Sequence, residues 1–161
     1  MHSVRHGPRR VADSHANGTC VRPNGWNERE DEFPATLVDT GWPGHIRKVA
    51  VDAVEGEVRH APAKSFYLVL THQHDLDLRI TESILRRADF AYLGLIGSKT
   101  KRERFMHRFE ERGIVPELLA RLTCPIGVPG IDGKEPEVIA AAVVAQLLQV
   151  AATGPGARES R

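Results

Sequence analysis

The sequence has little to cross-link it and little to draw it toward a charged partner. Cysteine occurs only twice in 161 residues, at Cys20 and Cys124. Two distant thiols make no disulfide framework, and they fit a reducing cytoplasm. The formal net charge is +1, which excludes a global electrostatic pull toward nucleic acid or an anionic membrane. No apolar run approaches the roughly twenty residues of a membrane span. The basic start MHSVRHGPRR lacks the apolar stretch of a secretory signal. A G-x-G-x-x-G between a strand and a helix is also missing, so the dinucleotide-binding fingerprint is absent. The glycine-rich GVPGIDG comes late and precedes the last helix, which is the wrong context. NAD is therefore not an expected cofactor. No internal repeat is present.

What the chain does have is concentrated between Phe66 and Ser98. An apolar run of strand length, Phe66–Leu70, ends in Thr71, His72, Gln73 and His74. A second, Phe90–Ile96, ends in Gly97 and Ser98, followed by Lys99, Lys101 and Arg102. Twice a strand delivers polar groups at its carboxyl end just before a helix. In an open α/β sheet that edge is where ligands bind. Imidazoles beside a basic helix start suggest an anionic ligand.

Around this centre the length implies a single domain with loose ends. Residues 1–25, with His2, His6, His15 and many Gly, Pro and Arg, read as irregular. Residues 26–150 read as the domain and 151–161 as a flexible tail. His45–Val51 is a strand candidate and Asp52–Ala61 a short helix or loop. Phe66–Thr71 reads as a strand buried on both faces. Asp75–Arg87 reads as a helix, with Leu76, Ile80 and Ile84 on one side. A further helix starts at the N-cap Ser98 and stops at Gly113. Pro116–Leu122 is a helical turn, and Cys124–Lys134 is a shaped loop. Glu137–Val150 is apolar on nearly every side and is expected to be a buried helix. The alternation predicts an α/β fold: a Rossmann-like, mostly parallel sheet with flanking helices and right-handed crossovers.

Each motif has a bland reading beside the functional one. THQHDLD invites comparison with the HxHxDH signature of metallo-β-lactamase-type hydrolases. That signature needs Asp and His where this chain has Leu76 and Asp77, so a metal-dependent hydrolase is disfavoured and no metal site is assigned. His72 and His74 could instead cap the strand end and the helix. At IGSKTKR, Gly97 allows close approach to the backbone and the helix start favours a phosphate. Lys99 and Arg102 could close over it. Lys101, Arg104 and Arg108 are read as a solvated face paired with Glu103, Glu110 and Glu111. Cys124 is a sulfur carrier, a ligand thiol or a small buried hydrophobe.

FYLVLTHQHDLDL, DFAYLGLIGSKTKRERF, CPIGVPGIDGKEPEVIA and the following AxxxAQLL together resemble the C-terminal domain of XdhC-type xanthine dehydrogenase accessory proteins, the XdhC/CoxI family. NEREDEFP resembles the acidic turn after that domain's second strand. The resemblance runs from Trp26 to Leu148. It implies a Rossmann-like fold and a chaperone rather than a turnover enzyme. Such a chaperone binds the molybdenum cofactor (molybdopterin) transiently, protects it while a cysteine desulfurase supplies its terminal sulfur, and helps insert it into a xanthine dehydrogenase-type molybdoenzyme. By motif position, His72, His74 and Asp77 match the family's TH-x-H-x-x-D. Gly97, Ser98, Lys99 and Arg102 match its GLIGS-basic junction, and Cys124 and Gly127 match its C-P-I-G loop. The family's first strand with its GAGHVG-like loop has no counterpart in residues 1–25, so a truncated or remodelled domain is expected, and Asn27 stands where an acidic residue is usual. The cysteine usage points to a cytoplasmic location, and a homo-oligomer is left open. The alternative from another class is a Rossmann-type NAD(P) oxidoreductase, disfavoured by the missing glycine loop. Metal and pterin analysis separates the three readings.

Overall fold

Alternating strand and helix signals decide the architecture, and the structure, a computed structural model describing residues 18–23, 46–71 and 73–153, follows them with informative departures. The chain divides into two units, Met1–Val54 and Glu55–Arg161.

In the first unit, strand β1 (Gly18–Pro23) pairs in parallel with strand β2 (Ile46–Val51), Gly18 opposite Ile46 and Pro23 opposite Val51. Strand β2 lies where the sequence places it. Strand β1 corrects the expectation that residues 1–25 are irregular. Thr19 and Val21 are β-branched and suit a strand, but six residues among many Gly, Pro and Arg give too short a signal to read.

The boundary falls at the first residue of a 3₁₀ helix, Val54–His60, the rest of which belongs to the second unit. Strands β3 (Phe66–Val69), β4 (Tyr92–Leu95) and β5 (Leu122–Thr123) then form a parallel sheet in the order β3-β4-β5. Helix α1 (His74–Arg87) links β3 to β4. Helices α2 (Lys99–Glu111) and α3 (Pro116–Leu119) link β4 to β5, and α4 (Pro136–Thr153) follows the last strand. The result is an open, parallel, Rossmann-like sheet with flanking helices.

All four residues of β4 are buried. Gly94 is required there: a Cβ would stand 2.8 Å from the Tyr92 ring and 2.9 Å from Ile126 Cγ2. Ile84, Leu85, Leu93, Leu95, Phe109 and Leu119 are fully buried and form the centre of the core. Phe105 and Phe109 meet edge to face at 5.9 Å. At the far end of the helices, Glu82 of α1 accepts hydrogen bonds from Arg86 and from Arg112. Burial opposes ionisation of Glu82, but these two guanidinium groups outweigh it and hold the carboxyl below its ordinary range.

Two burial expectations are overturned. In β3 only Val69 is buried, and Leu68 is exposed, because β3 is an edge of its three-stranded sheet. In α4 only Ala142 and Val143 are buried, while Val144 and Leu148 are 56% and 65% exposed. Apolar composition marked α4 as a core helix, but one side of it is open. Among the described residues α4 is also the helix whose length and composition would suffice to cross a membrane, which corrects the expectation that no apolar stretch approaches that length. Residues 154–161, most of the expected tail, lie outside the described residues.

Candidate functional site

Parallel neighbours end at the same edge, so β3 and β4 deliver their carboxyl ends side by side. The Ile96 amide donates to the Val69 carbonyl at 3.0 Å and extends the pairing beyond β4. Next to this edge is an open cleft of about 290 Å³. His74, from the start of α1, forms part of its wall. Ile96, Gly97 and Ser98 form another part, and Thr100, Lys101, Arg104 and Phe105 of α2 complete it. Among the described residues no carboxylate lines it. Ser98 caps α2 as expected, its Oγ accepting from the Lys101 amide at 3.2 Å. The Lys99 and Thr100 amides have no partner among the described residues. These free donors at the positive end of a helix suit an anion.

The cleft is framed by a buried ion pair. Lys101 Nζ donates to Asp77 Oδ2 at 2.5 Å and to the Ile96 carbonyl at 2.8 Å. Asp77 is fully buried and the Lys101 side chain is 11% exposed. The other carboxylate oxygen of Asp77 accepts from the Thr71 hydroxyl at 2.6 Å and the Thr71 amide at 3.2 Å. Burying a charge is costly unless it is paired and hydrogen-bonded, and here both conditions are met. Two sequence assignments are corrected by this. Lys101 is not on a solvated face paired with nearby glutamates, because its ammonium lies beneath the strand ends. Asp77 does not face the cleft, because Thr71 and Lys101 take both its oxygens.

The remaining candidates fall into three places. His74, Gly97 and Ser98 come together at the cleft. His74 is the first residue of α1 and exposed, and the helix cap is Gln73, without a side-chain hydrogen bond. The expected capping role of His74 is therefore not found, and His72 lies outside the described residues. Lys99 is exposed and Arg102 half-exposed on α2. Neither lines the cleft.

Cys124 and Gly127 sit behind this edge. Cys124 is buried with its Sγ 3.9 Å from the Ser98 carbonyl. Burial pushes its thiol up, although Lys101 and Arg102 pull the other way. In this position it packs as a buried, free thiol. Gly127 (φ +107°) abuts α4, where a Cβ would come 3.1 Å from the Ala142 Cβ. Its amide donates to Gln146 Oε1 at 2.9 Å, and Gln146 Nε2 donates to its carbonyl at 3.0 Å. The same Gln146 oxygen accepts from the Tyr92 hydroxyl at 2.6 Å.

Sequence reasoning missed Gln146, Arg104 and the role of Lys101. The signal for Gln146 was available: an amide within an otherwise apolar helical stretch needs a partner. Among the described residues no three His, Cys, Asp or Glu side chains converge as a metal set.

Residues 9–147 match the family model of the XdhC Rossmann domain. The match begins well before Trp26, within the stretch expected to carry no resemblance. Over 95 residues the chain is 36% identical to YqeB of Escherichia coli (strain K12), an uncharacterized protein, covering 57% of this chain and 16% of YqeB. Its fold is similar to that in the crystal structure of a xanthine dehydrogenase from Bacillus halodurans. The TM-score is 0.53 at 28% identity, over 70% of this chain and 33% of that chain. The chain thus spans a minor part of both proteins.

Proposed function

This chain belongs to the XdhC Rossmann-domain family, and on that premise we propose that it is an accessory protein in the maturation of xanthine dehydrogenase-type molybdenum hydroxylases. In this reading it holds the molybdenum cofactor, receives it in concert with a cysteine desulfurase, passes it to the hydroxylase, and performs no turnover of its own. In the same reading it works in the reducing cytoplasm.

The observation that carries this reading is the cleft at the carboxyl ends of β3 and β4, which no carboxylate lines among the described residues. The cofactor ends in a phosphate, and the donor set fits that group. The Thr100 amide, the Ser98 hydroxyl and the Arg104 guanidinium would hold the phosphate by charge-assisted hydrogen bonds. Ile96 and Phe105 add an apolar wall beside it. The redox chemistry that the cofactor supplies belongs to the hydroxylase that finally receives it. The residues of this chain bind, orient and screen it. A cleft of about 290 Å³ lies at the small end of ligand sites, roughly 300–1,000 Å³, so it takes the phosphate end and leaves the rest of the cofactor over the strand ends.

Co-production in a host that makes the cofactor tests the proposal. Molybdenum and pterin should co-purify with the parent chain and be lost in a folded Arg104→Glu variant. A parent chain that carries neither contradicts it.

A further inference from the structure

Lys101 has all the marks of a residue that acts through others. Its ammonium is occupied by Asp77 Oδ2 at 2.5 Å and the Ile96 carbonyl at 2.8 Å. Through Asp77 the same link reaches Thr71, whose hydroxyl and amide both donate to Oδ1. One ammonium therefore ties the end of β3 to the end of β4. Its stem matters as much as its charge. Gly97 has φ +158°, and a Cβ there would stand 2.5 Å from Lys101 Cδ. The turn is glycine because the lysine stem occupies the space. The Lys101 amide meanwhile donates to the Ser98 cap. Backbone and side chain of one residue thus brace Ile96, Gly97 and Ser98 together.

The electrostatics point the same way. Asp77 offsets the Lys101 charge, so the pair is neutral as a unit. The excess positive charge at the cleft comes from Arg104 and the start of α2, not from Lys101. A ligand that used the Lys101 charge would have to compete with a fully buried carboxylate 2.5 Å away.

We propose that Lys101 is a positioning residue for the cleft: with Asp77 it fixes the Gly97–Ser98 turn against the end of β3, so that the free amide of Thr100 and the Ser98 hydroxyl are presented to an anion. The proposal rests on the reading of this cleft as an anion seat. It assigns to Lys101 a role that is geometric and not one of ligand charge.

The test is an amide-resolved NMR titration of the full chain with inorganic phosphate. Lys101→Met alone would strand a buried carboxylate, so the informative variant is Asp77→Asn/Lys101→Met, which removes both charges together. If Lys101 acts by position, this variant keeps a dispersed spectrum while the Thr71, Gly97 and Ser98 amide resonances move more than those of the core. Its phosphate affinity falls by about tenfold or more, the loss of one charge-assisted hydrogen bond. Unmoved Gly97 and Ser98 resonances, or phosphate affinity within about twofold of the parent, overturn the proposal. Thr71→Val is the second variant. It removes the hydroxyl bond to Asp77 together with the hydroxyl's contacts to the Gln73 amide and carbonyl and leaves Lys101 intact, and it too should displace Gly97 and Ser98; if they stay in place the coupling does not exist. Should the parent show no phosphate response at these amides, the anion-seat reading fails, and the resonance shifts of the two variants still decide the positioning role.

Discussion

Replacing Gln146 by leucine should loosen the loop behind the cleft and destabilise the unit that carries it. The side chain is part-buried on α4 and makes three hydrogen bonds: it accepts from the Tyr92 hydroxyl and the Gly127 amide and donates to the Gly127 carbonyl. Leucine has nearly the same volume and makes none of them. A typical hydrogen bond contributes about 0.5–1.5 kcal/mol net, and a buried group left unpaired costs about 1–3 kcal/mol. Three bonds, partly replaced by water at a part-buried site and partly offset by the apolar gain of leucine, give a loss of about 2–4 kcal/mol. For a unit of this size that lowers Tm by about 10–25 °C. Urea denaturation of the parent and Gln146→Leu chains measures it through the midpoint at unchanged slope. The same variant should open the Cys124–Gly127 loop and speed alkylation of Cys124 by iodoacetamide in the folded protein. A loss below about 0.5 kcal/mol, with unchanged Cys124 reactivity, would show that Gln146 does not hold the loop.

Three further outcomes are expected. Gly94→Ala should cost about 1–3 kcal/mol by overpacking, since its Cβ would meet Tyr92 and Ile126 below 3.0 Å; denaturation with an unshifted midpoint would refute the packing account. Burial raises the Cys124 thiol and the Tyr92 phenol, so the unfolded chain gives up these protons first as pH rises. Stability should therefore fall progressively above about pH 8.5, and a Cys124→Ala chain should lose less of it; equal losses in the two chains would remove the thiol from the account. Calorimetric titration with NADH should show no useful binding, because the glycine-rich phosphate turn of a dinucleotide site is missing from the sequence; micromolar affinity would revive the oxidoreductase reading.

Much of the second unit was legible because its local signals agree with one another. Leu76, Ile80 and Ile84 repeat at helical spacing, Ser98 and Gly113 bound α2, and the apolar run into Gly97 marks β4. All three lie where the pattern put them. The open edge carrying His74, Gly97 and Ser98 was legible for the same reason: parallel strands followed by helices leave polar junctions on one side. What failed was any judgement that depended on a distant partner. Lys101 looked solvated because its helix neighbours are glutamates, and only the fold brings Asp77 to it, 24 residues away in sequence. Asp77 looked available to a ligand because its burial depends on Thr71 and Lys101 together. Helix α4 looked like core because composition records apolarity, not which side is covered. Strand β1 was hidden because a six-residue strand whose partner is β2, Ile46–Val51, leaves almost no periodic trace of its own.

The central claim is that the strand-edge cleft holds the phosphate end of the molybdenum cofactor. Equilibrium ultrafiltration of isolated cofactor against the purified chain tests it most directly, with retained pterin measured after oxidation to its fluorescent form. The account predicts a single saturable class of sites, competed by inorganic phosphate and weakened by about tenfold or more in a folded Arg104→Glu chain. Cofactor that is not retained by the parent, or that is retained equally by Arg104→Glu and is indifferent to phosphate, would contradict it.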